Sequence, residues 1–304
     1  MSIRTFPPCG HKTDSGCGYV TAAHHTGLFL EPLSEGVFIL SQQKQREAVP
    51  AQYSMTEAHF QAFRKIDAHS HIGTFGSPFN VQFTPDLLLE QMQNYTIQKT
   101  ILCAAGAHLN AEVQAAHAQY PHAILPLFWV NANQGQSAYD SLEHALGHDG
   151  FVGVKMQPLF DAFPADSPLV DPLLDIAERF ARPVFIHCGH PPFSLPWQIG
   201  LLAERHPHVP VVMVHMGHGH GVYIDASITM AKKYDNLFLE TSGMPMGCMI
   251  KTAFHTVGKE RIFFGIDSPF HHPTVEIQRI LSCGLKDADL EKIFFDNIAQ
   301  FMGI

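Results

Sequence analysis

The chain has 304 residues, of which 46% are hydrophobic and 15% are charged, so it contains enough apolar material for one large globular core. Its formal net charge of −9 and its lack of a dense Lys/Arg run exclude the basic surface typical of nucleic-acid-binding proteins. There is no apolar signal core at the N-terminus, no apolar run long enough to span a bilayer, and no disulfide-type spacing among the six cysteines. We expect a cytoplasmic protein with a small-molecule substrate and no nucleic-acid or membrane partner; a homo-oligomer is left open.

Residues 1–62 differ in composition from the rest of the chain and are rich in Gly, Pro, Ser and Thr. Two apolar runs within them, 28–31 and 37–40, flank a turn at 34–36, which predicts a β-hairpin. We interpret this segment as an N-terminal extension that packs on the main body.

Residues 63–304 alternate short β-branched runs with longer amphipathic ones. The predicted strands are 65–69, 99–104, 124–130, 151–156, 183–187, 210–215, 236–240 and 261–266. Predicted helices follow them, with cap and proline signals at 84–86 and 171–172, and further runs at 197–205, 222–234, 247–257, 274–282 and 287–302. This order predicts an α/β fold, a (β/α)8 TIM barrel. The doubly wound open sheet is the alternative, but no Gly-x-Gly-x-x-Gly follows a strand.

The first predicted strand contains two histidines, His69 and His71, in the run KIDAHSHIG at 65–73. Regular alternation predicts that both point to one face together with Asp67, while Ile66 and Ala68 point to the other. Two imidazoles spaced in this way can converge on one metal ion.

Three later strands also end in a side chain that can bind metal: His187 on the fifth, His215 on the sixth and Asp267 on the eighth. An apolar residue precedes each of them and is expected to point outward, which turns the polar side chain into the barrel mouth. A single buried histidine is more often a hydrogen-bonded core residue. Five such side chains at the carboxyl ends of strands predict a metal site, because active sites of TIM barrels lie at that end.

This pattern resembles the amidohydrolase superfamily. The local runs at 66–73, 153–158, 183–187, 214–217, 264–269 and 297–304 are most similar to its amidohydrolase 2 branch of TIM-barrel metal-dependent hydrolases. That branch also contains aminocarboxymuconate-semialdehyde decarboxylase and related aromatic-acid decarboxylases. The resemblance covers about residues 65–304. The family commonly has Gly-Ser-Asp at the eighth strand, where this chain has Ile266 in place of the serine.

The resemblance implies that His69, His71 and His187 bind one divalent metal and that Asp267 is both a ligand and the proton acceptor. It implies that His215 polarises the substrate carbonyl, with direct ligation as the alternative. We expect Zn²⁺, with Mn²⁺ and Fe²⁺ as alternatives for the same ligands. Three nitrogen ligands leave a position for a water whose pKa the metal lowers.

Lys155 is predicted to point inward from the fourth strand, together with Gly153 and Gln157. Related binuclear enzymes have a carboxylated lysine on this strand that bridges two metals. We expect Lys155 instead to be a buried charge partner or a substrate contact beside a single metal.

Other polar side chains lie near the same predicted rim. The loops after strands five, six and eight supply weaker substrate-binding candidates, with solvent exposure as the alternative: His190, His218, His220, His271 and His272. Glu240, Thr241 and Ser242 end the seventh strand and are weaker candidates of the same kind. Cys188 suggests a thiol nucleophile, but no separate base is placed for it.

The main expectation for function is a metal-dependent hydrolase, in which metal-activated water attacks an amide, lactone or ester carbonyl of a small molecule. The first alternative is non-oxidative decarboxylation of an unsaturated or aromatic carboxylate at the same site, and the second is a non-catalytic metal-binding barrel. A decarboxylase would be expected to clamp its carboxylate with arginine, and none of the arginines follows a predicted strand. This favours the hydrolase.

Overall fold

The computed structural model describes residues 30–32, 38–40 and 60–304. The chain divides into two units, Met1–Gln52 and Tyr53–Ile304. In the first unit, β1 (Leu30–Pro32) pairs antiparallel with β2 (Phe38–Leu40), as the hairpin prediction requires. The expected packing of residues 1–62 on the main body falls mostly on residues outside the described ranges.

The second unit alternates strands and helices along the chain. Its strands are β3 (Lys65–Phe75), β4 (Val81–Phe83), β5 (Ile97–Ala104), β6 (Ile124–Trp129), β7 (Gly153–Met156), β8 (Val184–His187), β9 (Val211–Val214), β10 (Leu237–Glu240) and β11 (Ile262–Phe263). Its helices are α1 (Pro85–Asn94), α2 (Asn110–Gln119), α3 (Gln136–His148), α4 (Pro158–Asp161), α5 (Asp171–Arg179), α6 (Pro196–Arg205), α7 (Gly221–Lys233), α8 (Gly247–Thr256), α9 (Pro273–Leu281), α10 (Asp287–Glu291) and α11 (Asn297–Met302). A π-helical turn at Lys292–Asp296 connects the last two. Over the described residues, no helix is long and apolar enough to cross a membrane.

Eight strands, β3 and β5–β11, run parallel and pair in chain order, while β4 pairs antiparallel with the end of β3. Backbone hydrogen bonds join the first of these strands to the segment after β11. The amide of Ala68 donates to the carbonyl of Phe264 at 2.9 Å, and the amide of His71 donates to the carbonyl of Ser268 at 2.8 Å. These bonds close the sheet, and the predicted (β/α)8 barrel is confirmed.

The apolar core consists of two clusters, one between the sheet and the helices and one inside the ring of strands. The inner cluster receives alternate residues of the strands, including Phe185, Val212 and Phe263. Phe301 of α11 packs against the ring of Phe263 at a centroid distance of 5.0 Å. Because the C-terminal helix fills the barrel at the start of its strands, the functional site lies at the opposite, carboxyl end.

The side-chain alternation expected for the first barrel strand is wrong. Ile66 and Ala68 belong to the inner cluster, on the side to which His69 and His71 also point. The register of β3 against β5 shifts between Asp67 and Ser70, which is a β-bulge. One extra residue at the bulge reverses the alternation, so that residues of both parities face the interior.

The outward direction expected for the residue before His215 is also wrong. Val214 lies in the inner cluster with Val212, so regular alternation would turn His215 outward. The strand instead ends at Val214, and His215 and Met216 adopt left-handed backbone conformations with φ values of 69° and 49°. These conformations are what turn the imidazole back into the barrel mouth.

Candidate metal centre and cavity

A compact group of electron-pair donors lies at the carboxyl end of the barrel. His71 Nε2 lies 3.1 Å from His69 Nε2 and 3.2 Å from Asp267 Oδ1, and His69 Nε2 lies 3.4 Å from the same oxygen. His215 Nε2 is 4.0 Å from the other oxygen of Asp267. All four side chains are buried. The ligand atoms of His69, His215 and Asp267 lie within 4.8 Å of one another, a spacing that one ion can bridge.

Hydrogen bonds on the far side of two rings set their tautomers. His71 Nδ1 lies 2.9 Å from the carbonyl oxygen of Ala104, and His215 Nδ1 lies 3.0 Å from that of Ser242. A carbonyl can only accept, so each Nδ1 carries a hydrogen and each Nε2 faces the group around Asp267, where it presents its lone pair whenever the ring is neutral. Neutral imidazole nitrogens and a carboxylate that all face one point fit a divalent cation.

The electrostatics of the group also suit a cation. Burial lowers the pKa values of His69 and His215 well below that of a free histidine, and the nearby Lys155 lowers them further. Both rings are therefore neutral and able to bind metal at neutral pH. Burial would lower the pKa of His71 as well, but the sulfur of Cys103 and the carboxylate of Asp267 outweigh it and raise that pKa to about 10. A positive charge at His71 is thus stabilised by its surroundings, and a bound cation would replace that proton.

The carboxylate of Asp267 is presented by a strained backbone. Its φ of 62° is in the left-handed region, as is that of His215. Non-glycine residues rarely adopt this conformation, which costs about 1–3 kcal/mol and persists only where the surrounding structure imposes it. A left-handed backbone conformation therefore sets the side-chain direction of two of the predicted site residues.

His187 lies at the edge of the donor group, and Cys103 lies beside it. His187 lies beside His215, with ring centroids 4.7 Å apart, but its Nε2 contacts His190 Nδ1 at 2.7 Å. Cys103, which the sequence analysis did not select, lies 3.2 Å from His71 Nδ1 through its sulfur. Cys103 is the penultimate residue of β5, the second barrel strand, so the strand-end rule applied to that strand points to it.

Lys155 is fully buried, and its ammonium nitrogen is 3.2 Å from His69 Nε2. As the alternation of β7 predicts, the side chain of Lys155 points into the barrel. Burial lowers its pKa, and the nearby Cys103, Asp267 and Glu240 partly oppose this lowering. Lys155 is therefore in contact with the donor group.

Glu240, at the end of β10, supports His215 from behind. One of its oxygens accepts hydrogen bonds from the amide of His215 at 3.0 Å and from the hydroxyl of Ser242 at 2.8 Å. Burial raises the pKa of Glu240 to about 8. The carboxylate does not line the cavity, and it holds the left-handed turn that presents the imidazole.

A cavity of about 310 Å³ opens beside the donor group. Three of the substrate-binding candidates, His190, His218 and His271, line it, whereas His220 lies outside the lining and its Nδ1 accepts from the amide of Val222 at the start of α7. One wall is aromatic, with ring centroids 4.8 Å apart in two of its pairs; its members are Phe75, Phe79, Trp129, Phe160 and Phe270. Sequence analysis did not identify this wall, although Trp129 ends the third barrel strand.

Cys188 does not line the cavity. Its side chain is fully buried in the outer cluster, and its sulfur lies 3.6 Å from the hydroxyl of Ser227. Burial raises the pKa of the Cys188 thiol to about 12, which keeps it protonated at physiological pH.

The family model described as Amidohydrolase matches residues 66–304, which include the whole donor group. The chain belongs to the amidohydrolase family. It is an enzyme of that family, and its histidines and Asp267 form a site for a divalent metal. The resemblance inferred from the strand-end motifs is confirmed.

Several solved structures share the fold at low sequence identity. The 2,6-dihydroxybenzoate decarboxylase from Rhizobium is 16% identical over 79% of this chain and 99% of its own, with a TM-score of 0.64. A 5-carboxyvanillate decarboxylase from Novosphingobium aromaticivorans, complexed with manganese and a nitrobenzoic acid, is 14% identical over 83% of this chain and 100% of its own, with a TM-score of 0.66. A dihydroxybenzoic acid decarboxylase from Polaromonas with bound manganese and 2-nitroresorcinol is 16% identical over 79% of this chain and 97% of its own, with a TM-score of 0.62.

These comparisons overturn the main expectation of hydrolysis. All three structures are decarboxylases, and they favour the alternative that the sequence analysis ranked second. The error has a physical origin. The absence of arginine from the strand ends favoured the hydrolase, but an arginine fork is one of several ways to hold a carboxylate, and a cation with neighbouring imidazoles is another.

Proposed function

We propose that this enzyme is a metal-dependent, non-oxidative decarboxylase of a small aromatic carboxylate. The observation that carries the proposal is the aromatic wall of the cavity, which stands beside the donor group around Asp267. Phe270 links the two: its ring centroid is 5.8 Å from that of His71 and 4.8 Å from that of Phe75. A flat ring packed on this wall would have its carboxylate directed at the donor group.

The charge of the substrate would be compensated without arginine. No arginine is among the described residues that line the cavity, and the polar part of the lining consists of imidazoles, Gln157 and Asp267. The proposed ligands of the metal are His69, His71 and Asp267, with His187 a predicted further ligand. When bound, the cation supplies a Lewis acid that attracts the carboxylate and neutralises charge in the transition state. We propose zinc or manganese, the latter because two of the structural neighbours contain it.

In the reaction, the bond between the ring carbon and the carboxylate breaks, CO₂ leaves, and a proton takes its place on that carbon. Neither oxidant nor reductant is needed. We assign the proton transfer to Asp267, which takes a proton from solvent and gives it to the vacated ring carbon. His215, whose Nε2 faces Asp267 Oδ2 and whose Nδ1 is fixed by Ser242, would polarise the substrate oxygen nearest to it. The aromatic wall holds the ring and excludes water from the carbon that is protonated.

The test is a substrate panel of benzoates, hydroxybenzoates, simple amides and lactones, assayed with protein loaded with Zn²⁺ or with Mn²⁺. We expect release of CO₂ from an aromatic acid, and incorporation of deuterium at the vacated ring carbon when the solvent is D₂O. Asp267→Asn should abolish both signals while the protein stays folded. Turnover of amides or lactones without CO₂ release, or no turnover of any aromatic acid, would refute the proposal.

A further inference from the structure

Gln157 lies in the cavity wall with an unsatisfied polar atom. It directly follows β7, and its backbone carbonyl accepts from the amide of Asp161 at 3.0 Å, which fixes the main chain at this point. Its side chain is 5% exposed and is the only amide among the described residues that line the cavity. The buried Oε1 atom has no hydrogen-bond partner among the residues that the structure describes.

A buried side-chain polar atom without a partner is uncommon and destabilises the folded protein. The amide can be turned around, since oxygen and nitrogen are nearly equal in shape, but either orientation leaves a polar atom unpaired at that place. Its chain neighbours in the lining, Leu159 and Phe160, are apolar and offer no partner. Gln157 is among the residues that line the cavity, so a polar group of a bound molecule is available to pair with its amide.

We propose that Gln157 is a specificity-determining residue that hydrogen-bonds a hydroxyl substituent on the ring of the substrate. A hydroxyl group both donates and accepts, so it satisfies the amide in either orientation. The ring itself contacts the aromatic wall, which provides affinity but little discrimination between substituents. The inference rests on the proposed function for the class of ligand, an aromatic carboxylate, and adds the substituent that the cavity selects.

The experiment compares the binding of benzoate with that of its 2-hydroxy, 3-hydroxy and 4-hydroxy derivatives by isothermal titration calorimetry. It uses metal-loaded wild-type protein and the variant Gln157→Met, which preserves the length of the side chain. Gln278→Met makes the same chemical change at an exposed position of α9 and is the matched control. We expect the wild type and the control to bind one hydroxybenzoate at least about tenfold more tightly than benzoate, because a buried polar group is left unpaired by the ligand without the hydroxyl.

In Gln157→Met this preference should fall to within about twofold, while the Kd for benzoate changes little. Equal weakening of both ligands would indicate a structural role and would overturn the proposal. A wild-type protein that binds none of the four acids would also overturn the proposal. So would one that binds all four equally, which is the result expected if ordered water satisfies the amide. If Gln157→Met does not fold, as judged by circular dichroism, Gln157→Leu takes its place. Because calorimetry detects binding whether or not the ligand is turned over, a retained preference with no CO₂ release would refute the decarboxylation alone.

Discussion

The carboxylate of Asp67 accepts a hydrogen bond from the backbone amide of Ile266 at 2.9 Å. The same oxygen accepts from the amide of His69 at 3.1 Å, and the other oxygen accepts from the hydroxyl of Thr100 at 3.1 Å. One buried carboxylate thus joins the first barrel strand to its neighbour and to the segment that presents Asp267. Asp67 therefore positions residues on both sides of the donor group without lining the cavity.

We expect Asp67→Ala to lower the free energy of unfolding by about 3 kcal/mol, because it leaves two buried backbone amides unpaired. It should also weaken metal binding by about tenfold or more, since it loosens the residues around His69 and Asp267. Urea denaturation and a metal-chelator competition assay measure the two effects. Asp225→Ala, at an exposed position of α7, is the control and should change neither. A variant that loses stability but keeps the wild-type metal affinity would contradict the positioning role.

We expect about one metal ion per chain, bound through the group around His71 and Asp267. His71→Ala should lower the stoichiometry severalfold after dialysis, because it removes the nitrogen closest to both His69 and Asp267. Lys155→Met should retain a ratio near that of the wild type. Elemental analysis by mass spectrometry gives the ratio, and reconstitution with Zn²⁺ or Mn²⁺ tells which metal supports turnover. A ratio near two that Lys155→Met reduces to one would show that the lysine bridges two metals.

Removal of one ring from the aromatic wall should weaken the binding of aromatic acids. Phe270 contacts Phe75, Phe79 and His71 through its ring, so Phe270→Ala should raise the Kd of a benzoate ligand by about tenfold. Calorimetry on the metal-loaded protein measures this Kd. Phe128→Ala removes a half-buried ring that does not line the cavity and serves as the control. The same affinity in Phe270→Ala and wild type would mean that the ring of the ligand does not contact this wall.

We expect that the thiol of Cys188 takes no part in the reaction. With a pKa of about 12, Cys188 is a protonated thiol at all lower pH values, and about one in 10⁴ molecules carries the thiolate at about pH 8. Iodoacetamide should label the exposed Cys248 and spare Cys188 in the native protein. Peptide mass spectrometry reads this out, and Cys188→Ala should retain the wild-type turnover. Loss of activity in a folded Cys188→Ala variant would restore the thiol as a participant.

Much of the barrel was predictable because its signals are local. Period-two alternation and cap residues placed strand 183–187 within one residue of the observed β8, and helix 197–205 within one residue of α6. The histidines at the strand ends were found by the same means. The fold then brought His69, His71, His215 and Asp267 into one group, as their positions at the carboxyl ends required.

The directions of side chains depended on contacts that no local pattern contains. The bulge before Ser70 is bonded through Asp67 to Ile266, which is 199 residues away in the chain. The left-handed turn at His215 is held by Glu240 from the next strand. The aromatic wall likewise assembles from separate loops. The sequence by itself determined which residues stand at the rim, because periodicity and capping act between near neighbours. Only the tertiary structure decided how they point and what cavity they enclose, because bulges and strained turns are stabilised across the barrel.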